Sequence, residues 1–273
     1  MKKRKHLIKT KWALPVVGIF FVVALCSIYF FSNGEFVSFD LTPLPHNPSN
    51  HVKQPEIVKA IYLTAWSAST KRFDELLELV KNTELNAMVI DIKTGSGEIA
   101  FEPKNPNFTK YSSINVIIED LDGIVEKAHE AGVYLIARNF VFQDPAVVKK
   151  HPEWAVQNKY GGVWKDWKGV TWVDPAVRGV WDYNVELSKE IYERGFDEIN
   201  FDYIRFPSDG PMANIEYNFF DGVDRSETMK EFYAYLDEKL RQKKIPISAD
   251  LFGLTCCNEG DMSIGQKVID AYQ

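Results

Sequence analysis

The stretch FDEINFDYIRFPSDG, residues 196–210, carries the clearest fold signal in the sequence. Its polar and apolar residues alternate as in a β-strand, where every second side chain points to the same face. Asn200 and Asp202 therefore share a face, and Asp202 lies where the strand ends. Asp197 and Glu198, at the opposite end, are expected to be solvated or to cap the preceding helix, and we assign them no catalytic role. The stretch predicts a strand that presents a carboxylate at its carboxyl end.

Similar β-rich runs occur on both sides of this strand, and amphipathic stretches separate them. Strands that are apolar on both faces and joined by helices form parallel sheets built from βα units. Gly132 and Gly195 mark the ends of two of the helical stretches. The predicted strands are IVKAIYLT (57–64), NAMVIDIK (86–93), VYLIARNF (133–140), FDEINFDYI (196–204) and IPISADLFG (245–253). The predicted helices lie near 71–83, 120–131, 177–194 and 225–243, and a further helix-like stretch spans 262–272.

The distribution of polar residues favours a barrel over an open, doubly wound sheet. Polar side chains end nearly every predicted strand, whereas an open sheet concentrates its ligand groups at one switch point. The glycine-rich TGSGE (94–98) lacks the third glycine of a dinucleotide fingerprint and is interpreted as a loop turn. We therefore predict a (β/α)8 TIM-type barrel. It is expected to be incomplete and truncated at its C-terminus, because 57–273 holds 217 residues and about five βα units, against about 250 residues in a typical barrel.

The N-terminus has the pattern of a membrane anchor. Residues 1–11 hold six basic residues and no acid, and residues 12–31 contain no charge. At about 1.5 Å per residue the apolar run makes about 30 Å of helix, enough to span a bilayer. We predict a cytoplasmic basic segment, a single-pass transmembrane signal anchor, a polar stalk over 32–56 and an extracytoplasmic domain over 57–273. A cleaved signal peptide is the alternative for the apolar run.

The charge balance argues against nucleic acid as a partner. The formal net charge is −6, and removing the six basic N-terminal residues leaves 26 basic against 38 acidic residues, or −12. Such a domain repels a phosphate backbone. The three cysteines and five histidines show no spacing typical of a metal site or a Ser-His-Asp site, so neither a metal nor a cofactor is expected. The predicted partners are a polysaccharide substrate and the membrane.

Two aspartates form the candidate catalytic pair. In ISADLFG (247–253), Ser248 and Asp250 share a face, so that Asp202 and Asp250 end neighbouring strands. Adjacent strands lie about 4.8 Å apart. This spacing is close to the separation of about 5–5.5 Å between the two carboxyl groups of retaining glycosidases. Two close acids push their pKa values apart, which leaves one protonated and one ionised near neutral pH. The structural alternative for Asp202 is an ion pair with a nearby arginine such as Arg205. For Asp250 it is that the residue caps a loop or forms an ion pair with Lys93 or Arg138.

Residues around this pair are candidate substrate contacts. Charged strand ends are suited to binding sugar hydroxyls, and an arginine there can hold a carboxylate ionised; the alternative is an internal ion-pair network without a substrate role. The insertion 141–176 contains five Trp and Tyr residues, which either stack on pyranose rings or pack the loop onto the barrel. The candidate substrate-binding residues are Trp66, Asp91, Lys93, Arg138, Trp172, Tyr203 and Arg205.

Five segments of the sequence are similar to a known family of bacterial domains described as glycoside hydrolases, which are TIM barrels distantly similar to alpha-amylase-type enzymes. They are KAIYLTAW (59–66), VIDIKTGSGEIAF (89–101), YLIARNFVFQDP (134–145), the stretch from WVDPA to FPSDG (172–210) and ISADLFG (247–253). The resemblance implies an extracytoplasmic, polysaccharide-active barrel whose nucleophile ends strand four and whose acid/base ends strand five, which gives these roles to Asp202 and Asp250. The alpha-amylase-type acid is Glu, whereas the shorter Asp stands at 250.

These features predict a membrane-anchored, exported glycoside hydrolase that uses paired-carboxylate catalysis. A non-catalytic barrel that binds cell-wall polysaccharide is the alternative from another class. Both predict a carbohydrate ligand, and they differ in whether the two aspartates cleave it.

Overall fold

The computed structural model of the chain describes residues 51–222, 224–253, 255 and 264–266. The strands of this part are β1 (Ala60–Leu63), β2 (Ala87–Asp91), β3 (Ile99–Phe101), β4 (Ile114–Ile118), β5 (Tyr134–Phe140), β6 (Gln157–Asn158), β7 (Glu198–Asp202), β8 (Ile215–Glu216) and β9 (Ile247–Ala249). The α-helices are α1 (Ala65–Ala68), α2 (Arg72–Lys81), α3 (Phe108–Tyr111), α4 (Leu121–Glu130), α5 (Pro145–Lys150), α6 (Arg178–Glu193) and α7 (Arg225–Arg241).

Five of the strands form one parallel sheet in the order β1-β2-β5-β7-β9. These are the five strands predicted from the sequence, so the α/β architecture with a parallel sheet is confirmed. The order follows the chain without the reversal that a doubly wound sheet shows at its switch point, and it agrees with the order in a TIM-type barrel. An eight-stranded closure stays a prediction.

The register of this sheet places polar strand positions side by side. Asp91 of β2 lies opposite Arg138 of β5. Arg138 lies opposite Asn200 of β7, and Asn200 lies opposite Ser248 of β9. Paired positions in adjacent strands point to the same face of the sheet. The strand pairing therefore assembles a row of polar side chains across four strands.

The longer helices form because their apolar residues recur every three or four positions. Phe73, Leu77 and Val80 are the buried stripe of α2, and α4 buries an equivalent stripe. The Asp120 side chain caps α4 by accepting a hydrogen bond from the backbone three residues on. Gly132 follows α4 at a φ of +69°, a left-handed conformation that glycine adopts without a Cβ clash. Each of the four long predicted helices ends within two residues of its predicted bounds.

Two small sheets lie in the connections and were not predicted. β3 and β4 form a parallel pair, and β6 and β8 form an antiparallel pair. Their strands have two to five residues, and α1, α3 and α5 have four to six. Elements of this length are too short to show a reliable hydrophobic period.

The structure corrects the interpretation of Asp197 as a solvated or helix-capping residue. Its side chain is buried and accepts hydrogen bonds of 2.8 Å from the backbone N–H groups of Val52 and Leu135. The His129 Nε2 lies 3.1 Å from the same carboxylate. Asp197 therefore ties the segment before β1 and the start of β5 to β7.

Several predictions fall outside the described residues. The basic segment, the apolar run and most of the stalk lie in residues 1–50, and most of the helix-like stretch 262–272 also lies outside. In the part of the chain that is described, no helix is long and apolar enough to cross a membrane. The membrane anchor stays a prediction.

Candidate active site

A cleft of about 430 Å³ opens on the face of the sheet that carries the polar row. All five parallel strands contribute to it, because alternate residues on each strand point to this face. In barrels of this type, functional residues come from the carboxyl ends of several strands. The lining residues are Tyr62, Val89, Ile136, Arg138, Asn200, Ser248 and Asp250.

Arg138 lines this cleft and contacts three aspartates, of which Asp250 also lines it. Its Nη1 lies 3.0 Å from Oδ1 of Asp91 and its Nε 3.1 Å from Oδ2 of Asp202, to which Nη2 also donates. The same Nε lies 3.9 Å from Oδ2 of Asp250. A planar guanidinium with five N–H donors can contact several carboxylates at once, which a lysine ammonium cannot do with this geometry. One arginine thus holds three aspartates together.

The two candidate catalytic carboxylates lie close together. Oδ2 of Asp202 and Oδ2 of Asp250 lie 3.1 Å and 3.9 Å from the Nε of Arg138, so these oxygens are at most 7.0 Å apart, the sum of the two distances. The carboxyl groups lie about 5–5.5 Å apart in retaining glycosidases and about 6.5–9.5 Å apart in inverting ones. The separation is compatible with carboxylate-pair hydrolysis, and the catalytic roles of the two residues stay predictions.

Both oxygens of Asp202 accept hydrogen bonds. Oδ2 accepts from Arg138, and Oδ1 accepts from the backbone N–H of Tyr203 at 2.6 Å. Tyr203 has a φ of +53°, a left-handed conformation that residues other than glycine rarely adopt. Such backbone conformations cluster at functional sites. Hydrogen bonds from a charged side chain and from the backbone therefore hold both carboxylate oxygens in place.

Burial raises the pKa of Asp250, and the charge of Asp202 raises it further against an opposing hydrogen bond from Asn200. Asp250 therefore keeps its proton to higher pH than an ordinary aspartate, as a general acid must. Burial also raises the pKa of Asp91, in spite of the hydrogen bond from Tyr62, whose Oη lies 2.6 Å from Oδ2. Burial together with that bond raises the pKa of Tyr62 to about 12.

The structure corrects the prediction that Lys93 contacts a substrate. Its side chain is completely buried, and its Nζ lies 2.5 Å from Oδ2 of Asp144 and 2.6 Å from the backbone oxygen of Phe140. Gly97 packs on the same carboxylate, where a Cβ would lie 2.1 Å from Oδ1. A buried ammonium needs such a partner because removing it from water costs several kcal/mol, as an order of magnitude. The pair is an internal link, which was the structural alternative for this residue.

Trp172 is also not the open stacking surface that was predicted. It is buried, its ring centroid lies 5.8 Å from that of Tyr203, and the Arg205 guanidinium lies 5.0 Å from the ring. These three residues join the insertion after β5 to the segment after β7. The arginine that pairs with Asp202 is Arg138, so the alternative of an Asp202–Arg205 pair is replaced.

The other predicted aromatic residues divide into buried and open ones. Trp164 is buried, and its Nε1 donates to the backbone oxygen of Pro211 at 3.1 Å. Tyr160 and Trp167, in contrast, are 77% and 74% exposed, and Trp66 on α1 is 66% exposed. Trp66 is not among the residues that line the cleft. The Lys159 ammonium lies over the Tyr160 ring, 5.1 Å from its centroid. Contact of the three exposed rings with a carbohydrate stays a prediction.

Three polar residues that line the cleft were not selected from the sequence as substrate contacts: Tyr62, Asn200 and Ser248. The signal that could have found them is the period of two, because each shares its face with other cleft-lining positions. No cluster of three His, Cys, Asp or Glu residues within the described ranges could hold a metal ion. The expectation that the protein needs no cofactor stays a prediction.

A second hollow, of about 640 Å³, lies along α6. Its buried carboxylate, Glu190, accepts hydrogen bonds from the backbone N–H groups of Lys104 and Asn105 at 2.6 and 3.0 Å. Because these bonds satisfy a loop backbone, Glu190 has a structural role there.

The sequence matches the model of one protein family over residues 60–271. That family is described as "Putative glycosyl hydrolase domain". The chain belongs to this family. The resemblance found from the sequence segments is thereby confirmed, and it covers the whole parallel sheet. No curated protein matches the chain.

Solved structures similar to this member of the glycosyl hydrolase domain family include a hypothetical protein from Ruminiclostridium thermocellum ATCC 27405. It is 36% identical, with a TM-score of 0.64 over 71% of this chain and 98% of its own. Alpha-L-fucosidase isoenzyme 2 from Paenibacillus thiaminolyticus is 14% identical, with a TM-score of 0.53 over 70% of this chain and 32% of its own. The GH20 exo beta-N-acetylglucosaminidase from Vibrio harveyi is 11% identical, with a TM-score of 0.53 over 75% and 36%. The last two show the fold alone, and this chain spans about a third of each.

Proposed function

We propose that this protein hydrolyses a polysaccharide, with Asp202 as the nucleophile and Asp250 as the general acid/base. The observation that carries the proposal is the position of Arg138, whose Nε lies 3.1 Å from Asp202 and 3.9 Å from Asp250. Arg138 and Asp250 line the cleft, and Asp202 adjoins it through Arg138. Membership in a glycosyl hydrolase domain family supports the reaction class. Glycosidases among the structures of similar fold agree with it.

The different surroundings of the two aspartates suit the two steps of a retaining reaction. In the first step, the Asp202 carboxylate attacks the anomeric carbon while the glycosidic bond breaks, and Asp250 gives its proton to the departing oxygen. In the second step, ionised Asp250 takes a proton from the water that attacks the same carbon. The bond to Asp202 then breaks, and Asp250 is again protonated.

The remaining polar residues of the cleft are suited to binding sugar hydroxyls. Asp91 and Tyr62 are joined by a hydrogen bond of 2.6 Å, and Tyr62 is half exposed at the edge of the cleft. Arg138 keeps the three aspartates in place while N–H donors remain at its exposed edge. We propose Tyr62 and Arg138, which line the cleft, as substrate contacts, and Asp91, which is buried, as the residue that holds both of them in place.

The experiment that tests this proposal compares the full chain with Asp202→Ala and Asp250→Ala. Release of reducing ends from a polysaccharide panel, followed by 4-nitrophenyl glycosides of the sugars found, measures activity. Each variant is expected to lose at least about 10³-fold in kcat/KM on the polysaccharide. Azide should restore turnover in each variant on the aryl glycoside, with opposite anomeric configurations in the two azide products, because it replaces the nucleophile in one and the water in the other.

Asp74→Asn is the matched control, because Asp74 is an exposed aspartate that pairs with Lys127 on the surface. It should keep the activity of the unchanged chain. Binding of a polysaccharide by all versions without turnover in any of them would contradict the enzyme proposal and favour a binding barrel.

We also propose that residues 12–31 anchor the protein in the cell membrane with the domain outside the cytoplasm, and that the sheet is part of a (β/α)8-type barrel. The uncharged 20-residue run after six basic residues supports the anchor. The strand order, which follows the chain, supports the barrel. Carbonate extraction of membranes and protease digestion of intact spheroplasts test the anchor; a chain released by carbonate, or protected in spheroplasts, would contradict it.

A further inference from the structure

A hydrogen-bonded chain leads from the buried Glu198 to Asp250 at the edge of the cleft. The Ser248 Oγ donates to Oε1 of Glu198 at 2.5 Å. The Asn200 Nδ2 lies 3.2 Å from the Ser248 Oγ and 3.2 Å from Oδ1 of Asp250. Glu198 is 5% exposed and does not line the cleft, so it cannot act on a ligand directly.

The direction of each hydrogen bond in this chain is fixed by Glu198. Its other oxygen, Oε2, accepts from the Tyr134 hydroxyl at 3.0 Å and lies 3.4 Å from the Gln54 amide nitrogen. An ionised carboxylate has no proton to give, so Ser248 must donate to it. Ser248 then has only a lone pair for Asn200, whose amide must present its NH2 group. That NH2 group also donates to Asp250.

The orientation of Asn200 leaves its amide oxygen without a partner, so this orientation depends on the two hydrogen bonds that its NH2 group makes. Its Oδ1 is buried without a hydrogen-bond partner among the described residues. An amide turned by 180° would bring Oδ1 to the position that now faces Ser248 and Asp250, where it would repel the Asp250 carboxylate.

We propose that Glu198 is a positioning residue for Asp250, acting through Ser248 and Asn200. The charged groups that face Asp250 are Arg138 on β5 and Asp202 on β7, and neither contacts Glu198 by a hydrogen bond. The hydrogen bonds that run from Glu198 through Ser248 and Asn200 therefore act on Asp250 independently of the ion pairs around Arg138. The effect of this positioning on catalysis rests on the proposed function, whereas the positioning itself does not.

The test is the titration of the Asp250 carboxyl group by ¹³C NMR of the full chain, labelled at aspartate Cγ and kept in detergent micelles because of its apolar N-terminal run. Asp250→Asn assigns the signal. Ser248→Ala removes one link, and it should raise the pH of half-titration by about 0.5–1 unit, because a hydrogen bond to the ionised form is weakened. Ser248→Thr keeps the hydroxyl and should titrate like the unchanged chain.

Glu198→Gln should shift the titration further than Ser248→Ala. Tyr134 and Gln54 place two donors at one end of residue 198, so the glutamine oxygen goes there and its NH2 group faces Ser248. Ser248 then no longer gives its proton to residue 198 and is free to donate it to Oδ1 of Asn200, which turns the amide over. Tyr134→Phe is the matched control, because it removes a hydrogen bond to Glu198 outside the chain to Asp250.

An unchanged Asp250 titration in Ser248→Ala and Glu198→Gln would overturn the proposal, and so would an equal shift in Tyr134→Phe. If Glu198→Gln does not fold, the comparison of Ser248→Ala with Ser248→Thr decides. The titration needs no substrate. Absence of glycosidase activity would therefore contradict the proposed function without changing the outcome of the titration.

Discussion

Arg138 and Asp202 are joined through two nitrogens of one guanidinium, with Nε 3.1 Å from Oδ2 and Nη2 donating to the same oxygen. Burial acts to lower the pKa of Arg138, and the charges of Asp202 and Asp91 outweigh it, so the pKa is raised. The two residues come from adjacent strands and are mostly buried. This ion pair therefore contributes to both the sheet and the candidate site.

Replacing Arg138 should reduce both stability and activity. Arg138→Met leaves Asp91 and Asp202, which are mostly buried, without their cation and removes the contact to Asp250. We expect a loss of about 2–3 kcal/mol in the free energy of unfolding and about 10²-fold in kcat/KM. Arg138→Lys keeps the charge without the bridging geometry. Its stability and kcat/KM should lie between those of the unchanged chain and those of Arg138→Met. Urea unfolding and steady-state kinetics measure the effects; a lysine variant as active as the unchanged chain would contradict the bridging role.

The pH dependence of hydrolysis should follow Asp250. Because its pKa is raised, the protonated acid persists above the ordinary range of an aspartate, and kcat/KM should fall as the pH rises through the Asp250 pKa. In Asp250→Asn, assayed on a glycoside whose leaving group needs no proton, this alkaline decrease should disappear. Asp74→Asn serves as the control and should keep it. If kcat/KM of Asp250→Asn still decreases at alkaline pH, the decrease is caused by another titrating group and the prediction is wrong.

The buried pair of Lys93 and Asp144 should be sensitive to the loss of either partner. Lys93→Met leaves Asp144 buried and unpaired, with an expected cost of about 3–5 kcal/mol at pH 7. Burial already raises the pKa of Asp144, and without the ammonium it rises further. The loss should therefore shrink as the pH falls and the carboxyl group takes up a proton in the folded state. Urea unfolding at pH 7 and pH 5 measures this.

A double variant provides the control for that pair. Lys93→Met with Asp144→Asn removes both charges, and it should recover much of the stability at pH 7 that Lys93→Met loses. A double variant less stable than the single one would show that the ion pair is not the main interaction at this position.

The stability that Asp197 contributes should be lost at acid pH. Burial acts to raise the pKa of Asp197, but hydrogen bonds from His129, His51 and the Leu135 backbone outweigh it, so the pKa is lowered. A lowered pKa means that the contribution is present above the ordinary aspartate value of about 3.9 and is lost as the pH falls through the folded-state pKa. Asp197→Asn should cost about 2 kcal/mol at pH 7 and little near pH 2. Urea unfolding across this range tests it, and a cost independent of pH would contradict it.

The two kinds of tryptophan in the insertion should respond differently to truncation. Trp172→Ala removes a buried indole and should cost about 3–5 kcal/mol in the free energy of unfolding. Trp167→Ala changes an exposed side chain and should stay within about 0.5 kcal/mol. If Trp167 contacts carbohydrate, its loss should weaken retention in affinity electrophoresis on the polysaccharide that the protein cleaves. Equal retention of Trp167→Ala and the unchanged chain would indicate that Trp167 does not contact the carbohydrate.

Much of the fold could be predicted from the sequence because its signals are local. The strand with Asn200 and Asp202 and the buried stripe of α2 follow from periods of two and 3.6 residues, which a short window contains. Ser248 and Asp250 were placed beside that pair because consecutive βα units form adjacent strands. The short strands and helices in the connections were missed because a period needs more residues than they have.

The sequence by itself determined the order of strands and helices and the placement of Asp202 and Asp250 at neighbouring strand ends. Only the tertiary structure decided that Arg138 and not Arg205 pairs with Asp202, that Lys93 is buried against Asp144, and that Trp172 is covered while Trp167 is open. The physical reason is that these outcomes depend on distances and burial between residues far apart in the chain. Hydrophobic periodicity reports which face a side chain takes, whereas the packing of whole elements determines which charge it meets and whether water reaches it.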